Sequence, residues 1–508
     1  MTNWKLAGST AVAALLAGNA ALADITPEEV WQNWQDMSAS YGQAITATSA
    51  VRDGDTLIVT GMNVAQDQDG VKVDLTIDEV NFTDNGDGTV EITMSDAYEM
   101  DMTLPPTDGV EGSTPTSVTI AISQPGMVTT VSGTAEEAAY EVEAPSIGIK
   151  LDSIEGVDAA AVDASVEATM TTVAGNYTVS GPADAKVIEV EFGAESVAMT
   201  LAAKDPESAS DIQMTATIAD LGTAYALDLG GMSLMGSNVA EALKAGTSIA
   251  GSFERGLMDF AIDVTEATGP TKVTSTSDRG GMTFAMDAAG LTYELTGAGT
   301  AMTISGPEIP FPELKLNYGE IAATLSMPLL ASPDLADFTF LTKIVDFQVS
   351  EELWGMLDPA NNVPHDPATV IIDTTGQVLL TSDLVDEAAM ASLGEAAPGE
   401  IHSLDIAKLR VKAAGAELSG VGAFTFDNTD MVTFDGVPTP TGKIDLKLVG
   451  GNVLLDKLVA MGLLTEDDAN GARMMISLFA NPGATPDELI STLEFKDKGF
   501  FANGQQLQ

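Results

Sequence analysis

The sequence predicts a mainly β, β-rich α+β fold: a large, extended antiparallel sheet system, curved or sandwich-like, with an N-terminal amphipathic helix and a C-terminal helix pair. Three observations carry that prediction. Apolar and polar residues alternate with period two in many segments along the chain. Helical periodicity is confined to a stretch near the start and two near the end. The alternating segments are punctuated by Gly, Asp, Asn, Ser and Pro and not by helix-length patterns, which favours antiparallel strands over βαβ units.

Residues 1–23 have one positive side chain, Lys5, and then an apolar run that ends in Ala21-Leu22-Ala23. This is the pattern of a cleaved signal peptide, with Ala21 and Ala23 as the small residues of the cleavage site. Gly8, Ser9, Thr10, Gly18 and Asn19 break the run too often for a membrane anchor. The expectation is a periplasmic or secreted protein with no integral membrane span after cleavage.

"ITPEEVWQNWQDMSASYG" follows. Thr26 can cap a helix, Pro27 suits its first turn, and Glu29 completes a capping box. Val30, Trp34, Met37 and Tyr41 share one helical face with Trp31 beside it, so the helix should pack on the main body. Its polar side holds Glu28, Glu29 and Asp36 without basic residues, which disfavours insertion into lipid.

After Gly42 the period becomes two. Val71, Val73, Leu75 and Ile77 alternate with polar residues, and "TDNGDGT" turns the chain into Val90, Ile92 and Met94, a hairpin. Similar alternation recurs at Tyr98 to Leu104, Val118 to Ile122, Val187 to Leu201, Ile212 to Ile218, Met258 to Val264, Phe284 to Leu295 and Leu314 to Met327. No strict repeat period is visible, which gives no support to a propeller or regular solenoid. "GPEIPFPE", 306–313, is the clearest Pro-rich junction; it either separates two β-rich regions, 24–309 and 310–508, or is an edge turn within one domain. Beyond it, Leu454, Leu455, Leu458 and Val459 mark one helix, and Thr465 with Glu466, Asp467 and Asp468 starts another, an αα-hairpin. The end returns to strand and turns at Lys498-Gly499.

The chain carries 75 acidic and 21 basic side chains, a formal net charge of −54, and no cysteine. Such a balance excludes nucleic acid as a partner and disfavours anionic lipid surfaces. It suits a solvated acidic surface. Stability without disulfides must come from apolar burial and backbone pairing, for which the chain is long enough.

Chemistry-bearing motifs are scarce. The two histidines, His365 and His402, lie in no metal-ligand pair. No G-x-S-x-G elbow, Walker loop or dinucleotide-binding fingerprint occurs. The acidic turns at 67–70, 84–88 and 466–471 resemble parts of calcium loops, but the twelfth positions are Met94 and Ser477 where glutamate is required. The expectation is therefore no enzyme, no cofactor and no metal. In "ELWGMLDPANNVPHDPATVIIDTTG", Asp358-Pro359 and Asp366-Pro367 read as turn dipeptides that stiffen a polar loop around His365.

That stretch, with "LSMPLLASPDLADFTFLTKIVDFQVS" before it and the exported N-terminus that begins "TPEEVW", resembles the bacterial family of domain of unknown function 2125. The resemblance spans most of the chain and is specific mainly over 310–376, where Trp354, Asp358, Pro359, Asp366 and Pro367 match its pattern. It implies a basic residue more often than histidine before the second Asp-Pro, and no catalytic residues. More distantly, "STLEFKDKGFFANGQQL" after the helix pair resembles the closing segment of AsmA-related envelope proteins. That likeness implies long, curved sheets with an apolar groove able to hold lipid. Together with the one-face-apolar strands and 23 methionines, it leads to the expectation of a non-enzymatic envelope protein that binds a lipid or other hydrophobic ligand along a sheet groove. The alternative is a structural or protein-interaction module that meets an envelope partner through its acidic surface.

Overall fold

The computed structural model describes residues 24–40, 43–68, 70–106, 115–156, 163–181, 186–205, 210–228, 230, 238–394 and 396–508. The predicted leader, with Ala21 and Ala23, lies outside them. Two compact units are present: residues 1–157 with 172–182, and residues 158–171 with 183–508.

The first unit begins with the helix Pro27–Ser40. Its N-terminus is the predicted capping box: the backbone N–H and hydroxyl of Thr26 donate to Glu29 Oε2 at 2.9 and 2.8 Å, and the Glu29 N–H donates to Thr26 Oγ1 at 3.3 Å. The helix turns Val30, Trp31 and Trp34 onto a sheet whose inward residues include Val59, Val80, Phe82, Val90, Ile92 and Val131. Phe82 is fully buried, with its ring 5.2 Å from that of Trp34, edge to face, and 6.0 Å from that of Trp31. The hairpin read at 71–94 is present as strands Val71–Asp84 and Val90–Met94, with Phe82 opposite Ile92. In its turn, Asp84 accepts the Gly86 N–H at 2.8 Å, and Asp87 accepts both the N–H and the hydroxyl of Thr89. Those carboxylates thus serve the turn itself.

The second unit is an antiparallel sheet whose strands pair mainly with their sequence neighbours from Gly290–Ser305 through Leu314–Met327, Ala336–Val349, Ala368–Leu380, Gly399–Ala413 and Ala416–Asp427 to Thr439–Val449. Segment 306–313 joins two strands that pair directly, Ile304 opposite Leu314, and is an edge turn. After Thr439–Val449 the predicted helix pair intervenes as Gly451–Ala460 and Glu466–Phe479, and the chain rejoins the sheet as Glu488–Lys496. Thr465 caps the second helix in a box with Asp468. The last hairpin turns at Asp497-Lys498, both left-handed (φ 53° and 61°), one residue before the predicted position.

A repetition that no sequence period announces appears in the strand pairing. In the first unit the long strand Val71–Asp84 pairs along one edge with two successive short strands, Val90–Met94 and Ala97–Leu104. These pair with Val128–Gly133 and Thr116–Ser123, which both rejoin one long strand, Ala138–Glu155. In the second unit Ser210–Asp228 pairs with Ser248–Arg255 and Met258–Glu266. These pair with Arg279–Asp287 and Gly269–Ser277, which both rejoin Gly290–Ser305. The same six-strand connectivity thus occurs once in each unit.

Candidate functional site

Cross-strand register decides which side chains share a face of the second unit's sheet, because alternate residues of a strand point to opposite sides. One row runs Phe284, Tyr293, Leu325, Phe340, and the next runs Met282, Leu295, Ala323, Thr342, Ile372, Leu409. The row between them on the other face is Thr283, Glu294, Thr324, Leu341, Asp373 and Lys408. One face is therefore apolar across many strands, and the other is polar apart from single residues such as Leu341. Where left-handed Asp220, Gly299 or Asp346 interrupts the pleat, the parity of the apolar positions switches with it.

This apolar face is not closed in the way the first unit's core is. Phe340 is 44% exposed, Met282 40%, Leu325 37% and Ile344 37%, whereas Val59, Val80 and Phe82 of the first unit are 0% exposed. The face holds an apolar hollow of about 350 Å³ lined by Leu325, Met327, Phe338, Val378, Leu380 and Leu384, among others. Leu384 sits in a loop that is fastened in three ways. Its own N–H donates to the Leu329 carbonyl at 2.8 Å, Asp383 Oδ1 accepts the Ala331 N–H at 2.8 Å, and Lys244 Nζ lies 2.5 Å from Asp383 Oδ2. The Lys244 bond holds the Asp383 carboxyl below its ordinary range. Lys244 ends the short helix Val239–Lys244, whose Ala240, Ala242 and Leu243 are buried. Sequence reasoning missed this tie; its partners are 139 residues apart and neither belongs to a motif.

The predicted signature residues form a second constellation. Ser350 starts the helix Glu351–Leu357, and Asp358 ends it with its N–H on the Trp354 carbonyl at 2.7 Å. Asp358 is only 2% exposed. Burial pushes its carboxyl upward in pKa, but the bonds from the loop that follows and the nearby His365 outweigh burial and hold it below the usual carboxylate value. The Val363 N–H reaches Oδ2 at 2.7 Å and Asn362 Nδ2 reaches Oδ1 at 2.7 Å. His365 then stacks on Trp354, with ring centroids 4.4 Å apart and planes 6° from parallel, and its Nδ1 lies 2.8 Å from Glu351 Oε2. Its Nε2 is 4.0 Å from Asp358 Oδ2, beyond hydrogen-bond reach.

Trp354 and Asp358 are thus brought together around His365. Pro359 and Asp366 are exposed, and half-buried Pro367 leads directly into the strand Ala368–Leu380. These contacts clasp the helix to the loop. The sequence shows the two Asp-Pro turns but not the stack, because an intervening loop brings positions 354 and 365 together.

Residues 264–502 match the family model described as an uncharacterized protein conserved in bacteria (DUF2125). The match takes in the meander from 290 onward, the clasp and the helix pair. No curated protein and no solved structure matches the chain. Among the described residues no helix is long and apolar enough to cross a membrane, which leaves strands aside.

Proposed function

We propose, from the match of residues 264–502 to the DUF2125 family model and the geometry above, that this chain is an exported, non-enzymatic envelope protein that holds a lipid or other hydrophobic ligand on the apolar face of its second unit. The observation that carries this reading is the half-exposed apolar face itself: Phe340, Leu325, Met282 and Ile344 lie in register on one side of the sheet. Export rests on the leader pattern of residues 1–23.

A sheet of this many antiparallel strands carries the usual right-handed twist, and its one-sided apolar face offers a continuous surface for an apolar chain. An acyl chain laid there gains about 0.8 kcal/mol for each methylene removed from water. The 350 Å³ hollow beside Leu325 and Phe338 would take one end of such a chain, and the Asp383 tie would keep its rim in place. Titration with an apolar fluorescent probe tests the reading. Saturable enhancement that Phe340→Asp or Leu325→Asp abolishes supports it, and the same enhancement in wild type and both variants overturns it.

A further inference from the structure

The polar face of the same sheet carries a feature at odds with a chain of net charge −54. Register places Lys343, Ile371, Arg410, Ser419, Lys447 and Ile490 in one row across six strands. Along the Arg410-to-Ile490 part of this row lies a cleft of about 680 Å³ whose lining mixes Lys408, Arg410, Ser419 and Lys447 with the apolar Val421 and Ile490. Two carboxylates also line it, and both are engaged. Glu417 takes Arg410 in a two-point pair at 2.9 and 3.4 Å, and Asp445 takes Lys443 at 2.9 Å and the Thr492 hydroxyl at 2.7 Å. Lys408 and Lys447 make no direct ion-pair contact among the described residues, although Lys447 is near enough to Glu417 and Glu488 to help hold both carboxyls down and Lys408 stands opposite Asp373 in the register. Two ammonium groups without a direct carboxylate contact thus line one concavity beside an arginine and a serine hydroxyl.

We propose that this cleft is a binding site for a phosphate-bearing anion, held by Lys408 and Lys447 with Arg410 and Ser419 at its floor. Ammonium groups act as strong point-charge donors to phosphate oxygens, and a charge-assisted bond is about twice as strong as a neutral one. The protein's overall negative charge does not forbid this, because screening confines the field of distant carboxylates to about 8 Å at physiological salt. Arg410 stays in its pair with Glu417, which fixes the guanidinium and leaves its outer edge to the ligand. Lys408, Arg410, Ser419 and Lys447 lie on the face opposite the apolar rows, so the inference stands apart from the hydrophobic-ligand reading.

The test uses the full chain and three probes: inorganic phosphate, pyrophosphate, and vesicles of phosphatidylcholine with or without phosphatidylglycerol. Calorimetric titration should show saturable, salt-sensitive binding of pyrophosphate that weakens about tenfold or more in Lys408→Gln/Lys447→Gln, with the thermal unfolding profile unchanged. Binding of the soluble probes without vesicle binding assigns the site to a free phosphate solute. Vesicle binding that requires phosphatidylglycerol and yields to pyrophosphate assigns it to a lipid headgroup. If no probe binds saturably, or if the double variant binds as wild type does, the inference fails. Should the double variant be unstable, Lys447→Arg alone must retain binding and Lys447→Glu alone must lose it.

Discussion

Replacing Phe82 and Phe340 by alanine, one at a time, distinguishes a closed core from an open face. Phe82 is fully buried between Trp31, Trp34 and the sheet of the first unit, so Phe82→Ala loses the whole transfer energy and leaves a cavity, about 3–5 kcal/mol in all. Phe340 is already 44% exposed. Its deletion forfeits roughly half of the ~1.5–3 kcal/mol that burying such a side chain supplies, and it opens no enclosed void. The expected gap between the variants is thus about 2–3 kcal/mol in urea unfolding. Tryptophan emission reads the two units separately, since Trp31 and Trp34 sit in the first and Trp354 in the second. A background with Trp4, Trp31 and Trp34 all replaced by Phe isolates Trp354 for the Phe340 measurement. If Phe340→Ala costs as much as Phe82→Ala, the second unit's apolar face is sealed and the groove argument falls.

Other expectations follow from particular contacts. Burial pushes the Tyr140 phenol up to about 12 and raises Tyr177, which stacks on it at 4.2 Å. A raised phenol stabilises the fold fully below the unfolded value near 10, and that contribution is lost as pH rises toward about 12. Unfolding midpoints of the first unit should therefore fall across that window, with late growth of phenolate absorbance; an early, single-step titration of all seven tyrosines would contradict it. Thr465→Ala removes a complete capping box and should cost about 1 kcal/mol, seen as faster amide exchange in Glu466–Phe479, while unchanged exchange there would show that packing alone holds the helix. His365→Ala removes the stack on Trp354 and should shift Trp354 emission in the background lacking Trp4, Trp31 and Trp34; an identical spectrum would refute the clasp.

What could be read in advance was local. The starts of the helices Pro27–Ser40 and Glu466–Phe479 carry capping signals within four residues, so Thr26 and Thr465 announce them, whereas Gly451–Ala460 starts without a side-chain cap. The period-two strands were visible because each has one apolar face, and "TDNGDGT" supplied its own turn chemistry through Asp84 and Asp87. The duplicated six-strand connectivity left no period, because pairing choice depends on which long strand two short ones share. The openness of the apolar face was equally hidden: Phe82 and Phe340 both sit in alternating strands, and only cross-strand register and tertiary covering make one buried and the other half-exposed. The basic cleft assembles through cross-strand register between successive strands, and a composition dominated by carboxylates conceals it.

The central claim is that the apolar face of the second unit holds a hydrophobic ligand, and native mass spectrometry of the protein tests it most directly. The full chain would be expressed and purified without detergent, and its organic extract analysed in parallel. The account predicts a reproducible bound lipid or other apolar small molecule in wild type that is absent from Phe340→Asp. Ligand-free wild-type protein, or an unchanged load in Phe340→Asp, would contradict it and would direct attention to capture of an envelope partner by the acidic surface.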